Sequence, residues 1–438
     1  MAALTASGVA QEQSQQEAAP PPRSGLFVRD VSLFTSYYSQ GLPERFLQSG
    51  SAPVPVGADV ATGGSAVLSL AKPGERTNFS LLYTPSYTAR IRYSDWNAFS
   101  NDLGLTFRHS ISTRLHLGLS AAGSIRSREE FQFAPIQTTA IAGAPGDLLD
   151  LSRAVSGGTT SSPDMALAAG LYSGDTAAQA LLFGSRILAS SARFGVDYSI
   201  TPRLQLTTGI GGSRIQYLRD RRRDEFPSLG VIPQVTSAIG DFGLSYSLSP
   251  RTTIGFHSDA ARQQSRLDNV VISNARLSLE RTMGPHWFVN LSGGVGLFER
   301  LPTESPSSRR FQQLAGAVLG YRTNAHTTLV AFNRSVADSY GIAALRTTSV
   351  SGSWRWALPR SRAWVDFAVS WLDLQSEIFP ATTWRGTAEI GRAIGAGFAI
   401  VGSYAYLAYS NLTLRNGERV GQSAIRVSIV WTPAVKLL

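Results

Sequence analysis

Arg193–Arg203 reads RFGVDYSITPR, and its two halves decide the fold. Phe194, Val196, Tyr198 and Ile200 alternate with Arg193, Gly195, Asp197 and Ser199, the period of two that gives a strand with unlike faces. Ile200-Thr201-Pro202-Arg203 then supplies a tight turn. The same unit recurs outward in both directions. In Thr113–Ala121, Leu115, Leu117 and Leu119 oppose His116, Gly118 and Ser120. In Gly397–Tyr406, Phe398, Ile400, Tyr404 and Tyr406 oppose Ala399, Val401, Ser403 and Ala405. In Ala424–Trp431, Ile425, Val427, Ile429 and Trp431 oppose Ala424, Arg426, Ser428 and Val430.

Seven further turns punctuate the chain: Lys72–Glu75, Ser110–Thr113, Leu248–Arg251, Met283–His286, Arg322–Ala325, Leu358–Ser361 and Ile394–Gly397. Between them lie connections of variable and mostly greater length: Gln40–Ala61, Ser94–Trp96, Ser127–Ser185, Leu218–Pro233, Ser265–Leu267, Leu301–Ser308, Glu377–Ala381 and Ser410–Glu418. Short turns at one end and longer loops at the other are the asymmetry of a transmembrane β-barrel. Eight tight turns join sixteen strands, and one strand at each end makes eighteen, from Val31–Ser39 to Val420–Thr432. If Val31–Ser39 and Gly63–Ala71 lie outside the wall, the count is sixteen.

Composition agrees. Of 438 residues only 16% are charged, against roughly 25% in soluble domains, yet hydrophobic residues are an ordinary 43%. Two-faced strands average to that balance. No run is apolar enough for a transmembrane helix. The strands are longer than the five or six residues usual in soluble sheets, and lipid-facing positions at mid-depth exclude charge because it costs a few kcal/mol there. Phe107, Tyr198, Tyr246, Trp287, Tyr321, Trp356 and Trp431 sit near the tight turns, and Tyr217, Phe298, Phe332, Trp371 and Tyr406 near the opposite ends. Two aromatic girdles at the membrane boundaries are expected; ordinary β-propensity is the competing account of the same rings.

The stretch Phe79–Tyr87, FSLLYTPSY, with Asn101–His109, NDLGLTFRH, resembles Gram-negative outer-membrane β-barrels, porin-like proteins among them, and is similar to the large barrels associated with polysaccharide secretion systems. The resemblance covers Val31 to Thr432. It implies an all-β, single antiparallel up-and-down barrel in the bacterial outer membrane, assembled by the barrel-assembly machinery and in contact with lipopolysaccharide. Such barrels commonly end on an aromatic residue, whereas Trp431 is followed here by TPAVKLL.

The expected organisation is a signal-peptide remnant at 1–10 (MAALTASGVA, with an Ala-rich tail as the alternative), a disordered leader at 11–30 and the barrel at 31–438. Residues 127–185 are expected to form the third extracellular loop and, by analogy with general porins, to fold into the lumen; a surface cap and a flexible loop are the alternatives.

The net charge is +10, and all but two of 40 basic residues are Arg, the exceptions being Lys72 and Lys436. They are dispersed, which argues against nucleic acid; a phosphate-binding surface and an Arg-rich genome both account for them. Expected on the pore side are Arg108, His116, Arg193, Asp197, His257, Arg276, Glu280, Arg355, Asp366, Arg385, Glu389 and Arg426, with His257 opposite Arg276. Arg outnumbers acid among them, which favours anions, unless these groups serve only to pair with one another. In the fourth loop, Arg219, Arg221, Arg222 and Arg223 could hold lipopolysaccharide phosphates or form internal ion pairs.

Cysteine is absent, and none of the five histidines has metal-ligand spacing, so no metal, cofactor or catalytic site is expected. The function expected is a channel for small hydrophilic solutes, anions among them. Exopolysaccharide export and a plugged structural barrel displaying surface loops are the alternatives.

Overall fold

The computed structural model describes residues 24–39, 57–92, 94, 97–126, 186–218, 234–265, 269–301, 308–339, 342–376, 381–411 and 419–433. These form eighteen strands. The first nine are β1 Gly25–Tyr38, β2 Asp59–Lys72, β3 Thr77–Arg90, β4 Ala98–Ser110, β5 Leu115–Arg126, β6 Arg186–Ser199, β7 Leu204–Leu218, β8 Val235–Ser249 and β9 Thr252–Gln264. The second nine are β10 Asn269–Met283, β11 Trp287–Arg300, β12 Ser308–Arg322, β13 His326–Ser339, β14 Ile342–Leu358, β15 Ala363–Ser376, β16 Ala381–Gly395, β17 Phe398–Asn411 and β18 Arg419–Trp431.

Every strand pairs antiparallel with its sequence neighbours, and β1 pairs with β18, so the sheet closes into an up-and-down barrel. The count is eighteen. β1 and β2 lie in the wall, paired from Gly25↔Ala71 to Tyr38↔Asp59, which removes the sixteen-strand alternative. All eight expected tight turns connect consecutive strands, and β1 starts and β18 ends on their side. Pro359–Ser361 makes one of them as a single 3-10 turn closed by Arg362 at φ 51°.

Two details differ from the sequence reading. Strand β1 starts at Gly25, not Val31, so 25–30 belong to the sheet although a Pro-rich stretch precedes them. A further connection, between Ser339 and Ile342, is also present; it is only two residues long, Tyr340-Gly341, so the alternation reads through it. Segment 1–10, residues 127–185 and Arg219, Arg221, Arg222 and Arg223 lie outside the described residues.

The wall is polar inside and apolar outside, the reverse of a soluble domain. Leu33, Ile210 and Leu277 are each 67% exposed and Phe311 72%, all on the outer parity, while inward neighbours such as Ser36, Thr88, Ser353 and Thr383 are buried. So much exposed apolar surface on a closed sheet, whose backbone groups are satisfied strand to strand, belongs in a bilayer.

Closure across the ends of the chain is a short ladder, matched only by that between β12 and β13. β1 meets β18 from Val31↔Trp431 to Tyr38↔Ala424, whereas β17 and β18 pair from Phe398↔Trp431 to Ser410↔Arg419. Side chains reinforce it: Ser423 Oγ donates to Ser39 Oγ at 2.9 Å, Arg426 Nε donates to Ser36 Oγ at 3.0 Å, and the Arg426 guanidinium lies 4.1 Å from the Phe34 ring centre.

Part of the inner face is tightly packed. Phe298, expected in the outer girdle, instead points inward, 1% exposed, with Val270, Ile272, Leu314 and Val336. Its strand parity explains this: Val295 and Leu297 take the outward positions of β11, leaving Phe298 inside. Lower on the same wall Phe288 lies over Gly320 on the neighbouring strand, where a Cβ would overlap the ring. Gly320→Val is therefore expected to cost about 1–3 kcal/mol through overpacking. Urea unfolding of the vesicle-inserted protein measures it; stability equal to the parent would refute the close approach.

Candidate functional site: the polar inner wall

All the candidate pore residues fall on the parity opposite the apolar belt, and register decides which of them meet. On β9 and β10, His257 stands opposite Arg276, and Asp259 opposite Asn274. His257 Nε2 is 3.8 Å from Asp259 Oδ1, and Asn274 Nδ2 donates to Asp259 Oδ2 at 2.9 Å. Glu280, further down β10, faces Thr253 and Asn290. On β5 and β6, His116 is opposite Asp197 and its Nδ1 is 2.8 Å from Ser110 Oγ. Arg193, four residues from Asp197 on β6, reaches past β7 instead, to Asp241 on β8.

A second group gathers on β14, β15 and β16, where Arg355, Asp366 and Glu389 lie in one row. Arg355 Nε is 3.8 Å from Asp366 Oδ1, and Trp364 Nε1 donates to Glu389 Oε1 at 3.0 Å. Arg108, Arg385 and Arg426 stand apart from both groups, opposite Asn78 and Gly118, Ser370 and Leu407, and Ser36 and Ser403 respectively.

The inner wall is uneven. On β13–β18 and β1–β4 several inward residues are packed: Arg385, Asp366, Thr383 and Gln422 are buried, as are Asp59 and Arg90 at their strand ends, although the Arg355 side chain is 40% exposed. On β5–β9 they are open, with Ser120, Ser191, Arg193, Ile239 and His257 exposed. Among the described residues the most open stretch of inner wall therefore lies along β5–β9.

On that open wall the cationic and anionic groups are not equally accessible. Arg193 Nη2 donates to Asp241 Oδ2 at 2.6 Å, yet the Arg193 side chain is 42% exposed and that of Asp241 only 6%. Gly209 makes the reach possible: a Cβ there would stand 2.9 Å from Asp241 Oδ1 and 3.0 Å from Arg193 Nε. The His257 side chain is 49% exposed, against 17% for Asp259, and Asp197 is buried. Bases face the lumen and acids lie behind them, so the accessible donors exceed what formal charge suggests. An Arg already held by one carboxylate keeps further N–H groups for a passing anion.

Sequence reasoning did not identify Asp241, Asp259 and Asn274 as partners, because only the register shows them meeting Arg193 and His257. The girdle candidates Phe107, Tyr198, Tyr246, Trp287, Tyr321, Trp356 and Trp431 take outward positions at the tight-turn ends, where Trp287 and Tyr321 pack at 4.5 Å and Phe398 and Trp431 stack at 6.1 Å. Of the opposite set, Phe332, Trp371 and Tyr406 also face outward; the Tyr217 side chain lies outside the description. Among the described residues no three His, Asp or Glu are grouped to hold a metal.

No family model matches the chain, and no curated protein matches it. Solved structures similar to it include OccK2 (OpdF) of Pseudomonas aeruginosa, with TM-score 0.46, 10% identity and coverage of 94% of this chain and 99% of that one. A BenF-like porin from Pseudomonas fluorescens Pf-5 gives TM-score 0.45, 8% identity and coverage of 93% and 98%. The outer membrane protein OpdK from Pseudomonas aeruginosa gives TM-score 0.42, 12% identity and coverage of 92% and 98%. At such identities the residue-level chemistry has to come from this chain itself.

Proposed function

We propose that the chain is an outer-membrane channel that passes small hydrophilic solutes and prefers anions. The observation that carries this reading is the open β5–β9 wall, where Arg193 and His257 are exposed and Asp197, Asp241 and Asp259 are recessed. Rings of accessible base in a confined pore lower the barrier for anions and raise it for cations. Eighteen strands are enough to enclose an aqueous path. Across the barrel, Arg355 repeats the arrangement, its side chain 40% exposed over Asp366 at 12%, while buried residues such as Arg385 hold the shape of the wall. Segment 127–185 serves as the constriction, the aromatic rows as membrane anchors, and the barrel-assembly machinery as the partner that inserts the chain.

Planar-bilayer recording of the refolded protein tests this. Stable conductance steps with an anion-selective reversal potential are expected under a KCl gradient. A silent protein, still silent after deletion of 127–185, would reject the channel.

A further inference from the structure

At the long-loop ends of β13–β16 the outer face changes character within two residues. Phe332, Val350, Trp371 and Trp384 form one outward row by register, with the two indoles 6.3 Å apart. The next outward row is Arg334, Thr348, Asp373 and Thr382, and beyond it Arg346 stands opposite Gln375. Two cationic groups and one carboxylate thus sit just above an aromatic line on the surface that faces lipid. Arg309 also faces outward on β12, but Glu299 stands opposite it and offsets its charge.

The carboxylate of the patch is engaged elsewhere. Asp373 accepts from Thr382 Oγ1 at 3.2 Å and from Gln375 Nε2 at 3.4 Å, so both of its oxygens are engaged by neutral donors. Arg334 Nε and Arg346 Nε are both shut off from solvent and have no hydrogen-bond partner. Small neighbours, Ala315 and Thr348, flank Arg334 across the strands. The side chains as a whole are only half-buried, so an anion outside the chain would be met by the terminal N–H groups of the two guanidinium forks rather than by Nε.

We infer that this patch binds the phosphorylated sugar headgroup of an outer-leaflet glycolipid. The inference rests on the proposed orientation, in which the long-loop ends face the cell exterior. At that depth the anions available to a lipid-facing guanidinium are lipid phosphates, which match its fork geometry. The aromatic row below would mark the start of the acyl layer. A polar patch that turns outward at the top of the wall is thereby matched to the most charged layer of the membrane.

The test uses native mass spectrometry of the refolded full chain in detergent, with bisphosphorylated lipid A as probe. The wild type should retain it, and the Arg334→Ala/Arg346→Ala double variant should bind about 10-fold more weakly. Arg334→Lys/Arg346→Lys should fall between, because an ammonium keeps charge but not the fork. Dephosphorylated lipid A should bind the wild type as weakly as the intact lipid binds the alanine variant. Equal retention by wild type and alanine variant, or indifference to the phosphates, would overturn the inference. Phosphatidylglycerol retained as well as lipid A would also overturn it, leaving a general anionic-lipid surface. Arg346→Gln, close to the strand end, provides a second variant should the double substitution not fold, as judged by heat-modifiable gel migration. Lipid retention without conductance would remove the channel reading and leave this one standing.

Discussion

Arg193→Glu is expected to turn an anion-preferring pore into a cation-preferring one. In the parent, Arg193 and Asp241 sum to zero charge, with the positive partner facing the lumen. The substitution leaves two carboxylates at the same place, a change of two units at the open wall. With an effective dielectric of about 20 and a few ångströms of separation, each unit shifts a passing ion by one to a few kcal/mol before screening. The cation-to-anion permeability ratio should therefore change by about 10-fold or more, read from the sign of the reversal potential under a KCl gradient. Arg385→Gln on the packed wall is the contrast: its side chain is buried, and the reversal potential should stay at the parent value. An unchanged sign in Arg193→Glu would place the conducting path elsewhere.

The second large effect concerns stability. Asp59 and Arg90 form an ion pair at 3.0 Å with side chains 1% and 5% exposed. Asp59 Oδ1 also accepts from the backbone amides of Val60 at 2.8 Å and Arg92 at 3.0 Å, and the Arg90 guanidinium lies 4.9 Å from the Tyr38 ring centre. The cluster ties β1, β2 and β3 together beside the closing seam. Asp59→Ala removes the carboxylate from a buried cation and the acceptor from two amides, so a loss of about 3–5 kcal/mol is expected in urea unfolding from vesicles. Asp59→Ala combined with Arg90→Leu should recover part of that loss, because the double change also removes the buried charge that had lost its carboxylate. A loss under about 0.5 kcal/mol in the single variant would show that water or lipid solvates Arg90 instead.

Much of the architecture is local information, which is why it was legible. A turn such as Ser249-Pro250-Arg251 and the alternation on either side of it are decided by neighbours in sequence, so the tight turns and the wall polarity follow from the chain alone, while the choice between sixteen and eighteen strands waits on how β1 and β2 pair. The misreadings share the opposite property. Phe298 was assigned outward by its distance from a turn, whereas the parity of Val295 and Leu297 places it inside. Asp241, Asp259 and the Asp59–Arg90 pair depend on which strands meet and in what register, and no window of the sequence contains that. The contrast between the open β5–β9 wall and the packed remainder belongs to the shape of the closed sheet, as does the outward turn of Arg334 and Arg346.

The seam between the first and last strands also says something about the order of assembly. Ser32 and Ser65, joined within one hairpin, are 33 positions apart; Arg426 and Ser36 are 390 apart. By the logarithmic law for joining chain ends, the longer closure costs about 2 kcal/mol more in entropy. Yet it is secured by a ladder of only eight pairs, from Val31↔Trp431 to Tyr38↔Ala424, as few as any junction in the barrel. The most expensive encounter is thus given no extra rungs, and the remaining seventeen junctions must already stand for it to persist. A curled sheet with two free edges is the natural last precursor, and the β1–β18 junction is where the finished cylinder would first come apart.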